Sequence, residues 1–294
     1  MNTLTRKDWI LLIILTLVWG INWPIMKIGV QEFPPLAFRM LGMLLGLPVI
    51  WAIARSQGVS LFVPREQRML VMRLAIPNML LWHMLIILGV KMLSSGRAAI
   101  FGYTMPAWAA LIGLLVFGQR ISALAWAGVM AALAGALLLL SGEMNAISGQ
   151  PLGSVIALAA AACWGYGTVA LKRARLDIPT ISLTFWMLTL TTLLMALASL
   201  VFEHAAWRMP NPVESTAILY NALVIFGFAH VIWFTLARTL PPVASSLSVM
   251  MIPVVGVFSG AWLLDEVLHW QDYAAMLLIL LGMSSVLLQK SAAD

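Results

Sequence analysis

Two histidines, His83 and His230, stand 147 residues apart, each inside a long apolar run and each close to a tryptophan, Trp82 and Trp233. An unperturbed imidazole titrates near pH 6.5, so in such a place it could carry a proton or hydrogen-bond a polar solute. A single histidine there could equally be satisfied by a carbonyl of a neighbouring helix. Lys27 near the end of its run and Arg39 and Arg97 near the starts of theirs fall at the same mouth when alternate runs reverse direction, and three cations at one mouth favour a carboxylate or phosphate on whatever enters. Lys27 and Lys172 also have a simpler use, snorkelling to an interface. Trp19, Trp23, Trp82, Trp108, Trp164 and Trp233, with Tyr166 and the polar Asn22, suit an amphipathic pocket that stacks on an aromatic or apolar solute. Each tryptophan taken alone would also serve as helix packing.

Other chemistry is not encoded. Ser94-Ser95 and Ser245-Ser246-Ser248 could in principle partner a histidine base in an intramembrane enzyme, yet none sits in a nucleophile motif, and no catalytic residue is assigned. Cys163 is the only cysteine, which rules out a disulfide framework and a Cys-based metal site; no metal and no cofactor is expected. There is no glycine-rich phosphate loop and no room for an ATPase domain. Asp and Glu are missing from the middle of every apolar run. An exporter of cationic drugs usually wants a buried carboxylate there, so neutral or zwitterionic metabolites, amino acids in particular, fit better.

The elements that must position these groups follow from composition. The chain has 294 residues, 62% hydrophobic and 10% charged, against about 25% charged in a soluble domain. Crossing the hydrocarbon takes roughly 20 apolar residues. Runs of that length fall at 9–29, 36–54, 70–90, 95–117, 122–140, 152–171, 180–201, 215–236, 243–264 and 271–289. Arg6 and Lys7 ahead of the first run imitate a signal peptide, but the run is too long and lacks a small-residue cleavage site, so it reads as an uncleaved span. Proline donates no N–H, so Pro24, Pro77, Pro106 and Pro253 free the carbonyls of Gly20, Arg73, Gly102 and Val249 and predict kinks usable in gating.

Charge gives the orientation. With the N-terminus inside, 12 of the 17 Lys and Arg lie inside and five outside, while the 11 acids split four and seven. The split is +8 inside and −2 outside, which recovers the net +6. The positive-inside rule therefore puts both termini in the cytoplasm and accounts for the basic character of the chain.

The runs also repeat. Trp19-Gly20 and Lys27 recur as Trp164-Gly165 and Lys172, 145 positions on; Pro106, Gln119, Trp126 and Gly135 recur as Pro253, Glu266, Tyr273 and Gly282, 147 positions on. Five spans per unit is an odd number, so the second unit enters the bilayer in the opposite sense, the arrangement that puts a binding site between two rocking halves. The Gly128, Ala132, Gly135 series could mark a dimer face, but packing within one chain is the better use.

The stretches VWGINWPIMK and CWGYGTVALK that open the units, the prolines of the fourth and ninth spans, and LLDEVLHW near the close resemble the EamA type of the ten-helix drug/metabolite transporter superfamily. The resemblance covers essentially the whole chain. It implies a metabolite or amino-acid exporter, or a drug efflux protein, of a bacterial inner membrane. The family's Gly-Glu at the end of the fourth span reads Gly118-Gln119 here, and Asp265-Glu266 in the second unit.

The expectation is thus an all-α integral membrane protein of ten transmembrane helices. Two inverted five-helix repeats, 1–142 and 151–294, enclose a central cavity. Its function would be export of small metabolites by alternating access, the alternative being proton-coupled multidrug efflux and, further off, an intramembrane enzyme. Its partners would be a small-molecule solute, the lipid bilayer and, as a candidate coupling ion, a proton. Nucleic acid is not implied, and a monomer is favoured.

Overall fold

The computed structural model describes residues 6–146, 149–229, 232 and 242–287. Every regular element among them is helical. In chain order these are α1 (Arg6–Val30), α2 (Pro35–Ser56) and α3 (Arg65–Ala75). A wide π-helical stretch, Ile76–Leu81, leads into α4 (Trp82–Met92). Next come α5 (Ser95–Gly102), α6 (Met105–Leu115), α7 (Ala123–Asn145), α8 (Pro151–Arg173) and α9 (Thr180–Phe202). The helix α10 (Pro212–Leu219) runs into a second π stretch, Tyr220–Ala229, followed by α11 (Pro242–Leu264) and α12 (Trp270–Leu287).

Eight helical spans among the described residues are long and apolar enough to cross a membrane, and Val249–Leu264 is a shorter apolar helix. The expected eighth run is interrupted by residues outside the description, the ninth falls on α11 and the tenth on α12. Short connections alternate the direction of the spans. The bundle therefore has a near end, where α1 begins, and a far end, where α1 stops.

Glycine sets how closely the spans approach. A Cβ on Gly20 would overlap Val255 of α11 and lie 3.2 Å from the Ile252 carbonyl; one on Gly165 would lie 2.8 Å from the Ala109 nitrogen and 2.9 Å from Trp108 Cβ of α6. The two Trp-Gly pairs thus do the same job, α1 on α11 and α8 on α6. In lipid, helices associate through such backbone-close packing rather than through the hydrophobic effect. The α7 helix packs along α12 in the same way. A Cβ on Gly135 would meet the Ala275 carbonyl at 3.0 Å and one on Gly282 would meet the Gly128 carbonyl at 2.6 Å. The Gly128–Gly135 series therefore faces α12 within the chain, not a second copy.

The four prolines do not behave alike. Pro77 stands in the first π stretch, and Pro106 sits at the start of α6, where the fourth span breaks into two helices. Helices α1 and α11 run unbroken through Pro24 and Pro253. The expected symmetric pair of kinks at Pro106 and Pro253 is thus an interruption at Pro106 only: Tyr103 and Thr104 form a turn there, and Pro106 restarts a helix in the first turn, where no N–H is needed.

Helices α6 and α11 give way to left-handed residues, Gly118 at φ 64° and Asp265 at φ 52°. A helix end commonly needs one such residue, and glycine takes it without a Cβ penalty. Nothing lies within 4 Å of where a Cβ on Gly118 would sit, so Gly118→Ala isolates backbone strain. It is expected to cost about 1 kcal/mol, while Asp265→Gly should raise stability. Thermal unfolding of the detergent-solubilised protein reads both; an unchanged midpoint for Gly118→Ala would remove the strain account.

Candidate functional site

The most unusual group in the bundle is a cation. Arg39 is buried, 3% exposed, one turn inside α2. The start of α2 is fixed because the Glu203 carboxylate at the end of α9 accepts the Leu36 and Ala37 N–H groups at 2.9 and 2.8 Å. The Arg39 guanidinium donates to Asn221 Oδ1 at 3.0 Å and approaches Met26 Sδ at 3.0 Å, and it lies 5.8 Å from the centre of the Phe226 ring. Its Nε has no hydrogen-bond partner in the protein. Among the described residues the side-chain ion pairs of arginine belong to Arg97 and Arg208, so Arg39 holds its charge against neutral groups alone.

His83 meets the same ring. It lies edge-on to Phe226 with the centroids 5.6 Å apart, on the first turn of α4. Asn221 is held by its own amide, which donates to the Ala217 carbonyl at 3.1 Å and leaves Oδ1 for Arg39. Gly42 makes room for it: a Cβ there would stand 3.3 Å from Asn221 Cβ. Four elements therefore converge: α1 with Met26, α2 with Arg39, α4 with His83, and the second π stretch with Asn221 and Phe226.

Trp82, the neighbour of His83, joins this cluster to an aromatic one. Trp82 and Trp164 lie 5.3 Å apart at 58°, and Trp23 and Tyr103 lie 6.2 Å apart at 60°. Gly102 lets the indoles of Trp23 and Trp82 meet, since a Cβ there would stand 2.9 and 3.4 Å from them. Trp19 and Trp108 pack around the same core. Two buried polar atoms here, Asn22 Oδ1 and the Trp108 indole nitrogen, have no hydrogen-bond partner in the protein.

Other residues singled out by sequence lie elsewhere. Tyr166 is 41% exposed and, with Cys163, lines a groove on the flank of the bundle, facing away from the core. Lys27 donates to the Lys91 carbonyl at the end of α4, 2.8 Å away, a helix-end contact suited to a cation. Arg97 is not a free cation at the mouth: its Nε donates to Asp272 Oδ1 at 2.7 Å and its Nη1 pairs with Glu143. Those carboxylates also accept the His269 and Gln150 N–H groups at 2.8 and 2.6 Å, so Arg97 binds α5, α7 and α12 together at the far end. Of the three cations expected at one mouth, Lys27 and Arg97 are thus held by a carbonyl and two carboxylates, and Arg39 by neutral groups. His230 and Trp233 lie outside the described residues. An open cavity of 600 Å³ lies at the far end, lined by Arg97, Glu143, Glu266 and His269 among others.

Sequence reasoning missed Asn221 and Phe226. The asparagine was legible as a polar residue inside an apolar run. Phe226 had no such signal.

The model of the EamA-like transporter family matches residues 7–141 and 151–288. The chain is 26% identical over 272 residues to the uncharacterized transporter YoaV of Bacillus subtilis (strain 168), covering 92% of this chain and 93% of that one. It is 26% identical over 290 residues to an Escherichia coli (strain K12) protein named "Probable amino-acid metabolite efflux pump", covering 95% and 94%. With the uncharacterized inner membrane transporter YedA of the same species and strain it shares 27% over 283 residues, covering 94% and 89%. A solved crystal structure superposes with a TM-score of 0.66 at 23% identity, over 95% of this chain and 96% of that one, which shows a common fold.

Arg97→Gln strands two buried carboxylates. It is expected to destabilise the protein by about 3–5 kcal/mol, read as a fall in the thermal midpoint in detergent. Arg175→Gln, at an exposed site, should leave the midpoint unchanged. Equal, small effects from both would mean that the triad does not hold the far end together.

Proposed function

The chain belongs to the EamA-like transporter family, and on that premise we propose that it is a secondary transporter exporting small carboxylate-bearing metabolites, amino acids among them, across a bacterial inner membrane. Arg39 carries this reading. A guanidinium stays charged at any physiological pH, and a charge inside a span is costly unless partnered. A solute carboxylate is the partner this site lacks. It would bind at Arg39 between Asn221 and His83, with its apolar part against Trp23, Trp82 and Trp164. Asn22 and the Trp108 indole would take further polar groups of the solute. The names of the relatives, an amino-acid metabolite efflux pump and an inner membrane transporter, point the same way.

Alternating access would come from two inverted units, 1–142 and 151–294. The paired glycine contacts support the repeat: shifting Gly135 and Ala275 by 147 in opposite directions gives Gly282 and Gly128, which also touch. The same shift carries the first π stretch, 76–81, into the second. The near end would be cytoplasmic, as the charge split favours. His83, which meets the same Phe226 ring as Arg39, is a candidate to carry a coupling proton.

Two measurements test this. In proteoliposomes, Arg39→Gln is expected to lower transport of an amino acid at least roughly tenfold more than that of its amide analogue, because a charged hydrogen bond is lost for one and not the other. Equal losses would mean that Arg39 only supports packing. In a Cys163→Ala background, a cysteine at Ala146 should react with an impermeant thiol reagent added outside intact cells; labelling only after permeabilisation would reverse the orientation and with it the inverted pair.

A further inference from the structure

We propose that the recess between α3 and α9 at the near end seats an anionic phospholipid, its headgroup on Arg68 and an acyl chain along the groove. The recess holds 410 Å³, and apart from Arg68 and Thr189 its wall is apolar. It is built rather than incidental. The extended segment 59–64 runs across the start of α3 and is tied on both sides. Trp186 Nε1 donates to the Leu61 carbonyl at 2.6 Å, and Arg68 Nε donates to the Val63 carbonyl at 3.1 Å. Val63 and Val71 are buried in a cluster with Met187 and close the floor, while Phe62, Met72 and Leu193 stand exposed around the opening. Both α3 and α9 belong to spans long and apolar enough to cross a membrane, so the opening faces the acyl chains of the bilayer.

Along the membrane normal the lining runs in the order of a phospholipid. Arg68 lies in the first turn of α3, at the near end. Trp186 follows, at a depth where an indole suits the headgroup boundary. Leu193 stands just past the middle of α9, about 10 Å deeper than Trp186 at 1.5 Å per residue. Arg68 is oriented through Nε and makes no ion pair among the described residues, which leaves its Nη groups for a phosphate. Arg65, one turn earlier, falls on the same side of the helix. Glu66 lies two steps of about 100° away from Arg68, and Asp177 meets α3 at Gln67, between them. The stretch 55–73 carries four arginines against that one glutamate, a balance that attracts anionic lipid. An apolar partner helix would fill the groove but leave Arg68 without a counter-charge, and a small soluble anion would leave the groove empty.

The seat is one-sided. A shift of 147 carries Arg65 and Arg68 to Pro212 and Ser215, so the corresponding place at the far end has no cation for a headgroup. One wall, with Arg68, comes from the first of the proposed units and the other, with Trp186, from the second, so a lipid seated here touches both. It lies on the flank of the bundle, apart from Arg39 in the core, and its occupancy depends neither on the transported solute nor on which side of the membrane the near end faces.

Native mass spectrometry of the delipidated full-length protein in detergent tests this, with phosphatidylglycerol and phosphatidylcholine of identical chains as probes. The parent should bind its first phosphatidylglycerol about fivefold more tightly than its first phosphatidylcholine, the worth of one arginine at a membrane surface. Arg68→Gln, at an exposed position, should remove that preference. Arg120→Gln, another exposed cation of the near end but outside the groove, should keep it. Thr189→Trp fills the groove and should weaken the first site for both lipids. Glycerol phosphate, a headgroup without chains, should not compete. Equal binding of the two lipids by the parent, a parent-like preference in Arg68→Gln, or displacement by glycerol phosphate would overturn the proposal. So would a dimer that phosphatidylglycerol does not disperse and Thr189→Trp does, because the groove would then belong to a second copy.

Discussion

Hydrocarbon solvates neither a charge nor an unpaired peptide group, so each polar atom inside a bilayer must find its partner within the protein. That constraint explains where this chain puts its charges. At the far end Glu203 takes the free N–H groups that begin α2, Glu266 takes those that begin α5, and Glu214 takes Arg208 at 2.5 Å and the Asn211 N–H at 2.8 Å. Glu143 and Asp272 share Arg97. The acidic residues on that face are therefore clamps that close the helix ends. Arg39 is the departure. It is buried like a core residue, it is charged, and its partners are an amide, a thioether and a ring. Among the described residues the buried carboxylates have donors, whereas the partners of this buried cation are neutral.

Glycine is the second determinant, because it decides which helices touch. Gly20 and Gly165 bring α1 onto α11 and α8 onto α6, so each contact joins one half of the chain to the other. The same residues place Trp19, Trp23 and Trp164 around the core, since a helix whose glycine faces its neighbour fixes where its next turns point. The tryptophans and the glycines are one arrangement, with the rings filling the space that the close backbone contact leaves beside it.

Much of this was legible in the sequence because lipid simplifies the code. Length and hydropathy located the spans that the structure describes, and the recurring Trp-Gly and Gly positions, read there only as a repeat, fall at close helix contacts. Arg39, His83 and most of the tryptophans stood out as costly or bulky residues in apolar runs, and the structure gathers them. What was not legible was pairing. Lys27, Arg39 and Arg97 look alike as cations near one mouth. Only the third dimension reveals that Lys91 supplies a carbonyl to the first and that two carboxylates, 46 and 175 positions away, claim the last. Proline was likewise ambiguous: Pro24 and Pro253 free a carbonyl within a continuous helix, whereas Pro106 follows a turn. Tyr166 followed the Trp-Gly motif in sequence, but one step along a helix is a rotation of about 100°, enough to turn a side chain from core to flank.

The groups that break the internal repeat are the ones with chemical consequence. The glycine contacts keep it, because packing must be the same in both halves for the helices to fit. Arg39 has no counterpart: a shift of 145 gives Thr184 and one of 147 gives Trp186. Glu266 faces Gln119, and Ser95 faces Pro242. A perfectly symmetric pair of units would bind a solute equally in both orientations and open equally to both sides, so no direction would follow from its structure. Under the proposed reading, one cation in one half would orient a carboxylate, an asymmetry that the repeated packing contacts cannot provide. In the proposed alternating-access cycle, symmetry would supply the two states and departures from it the difference between them.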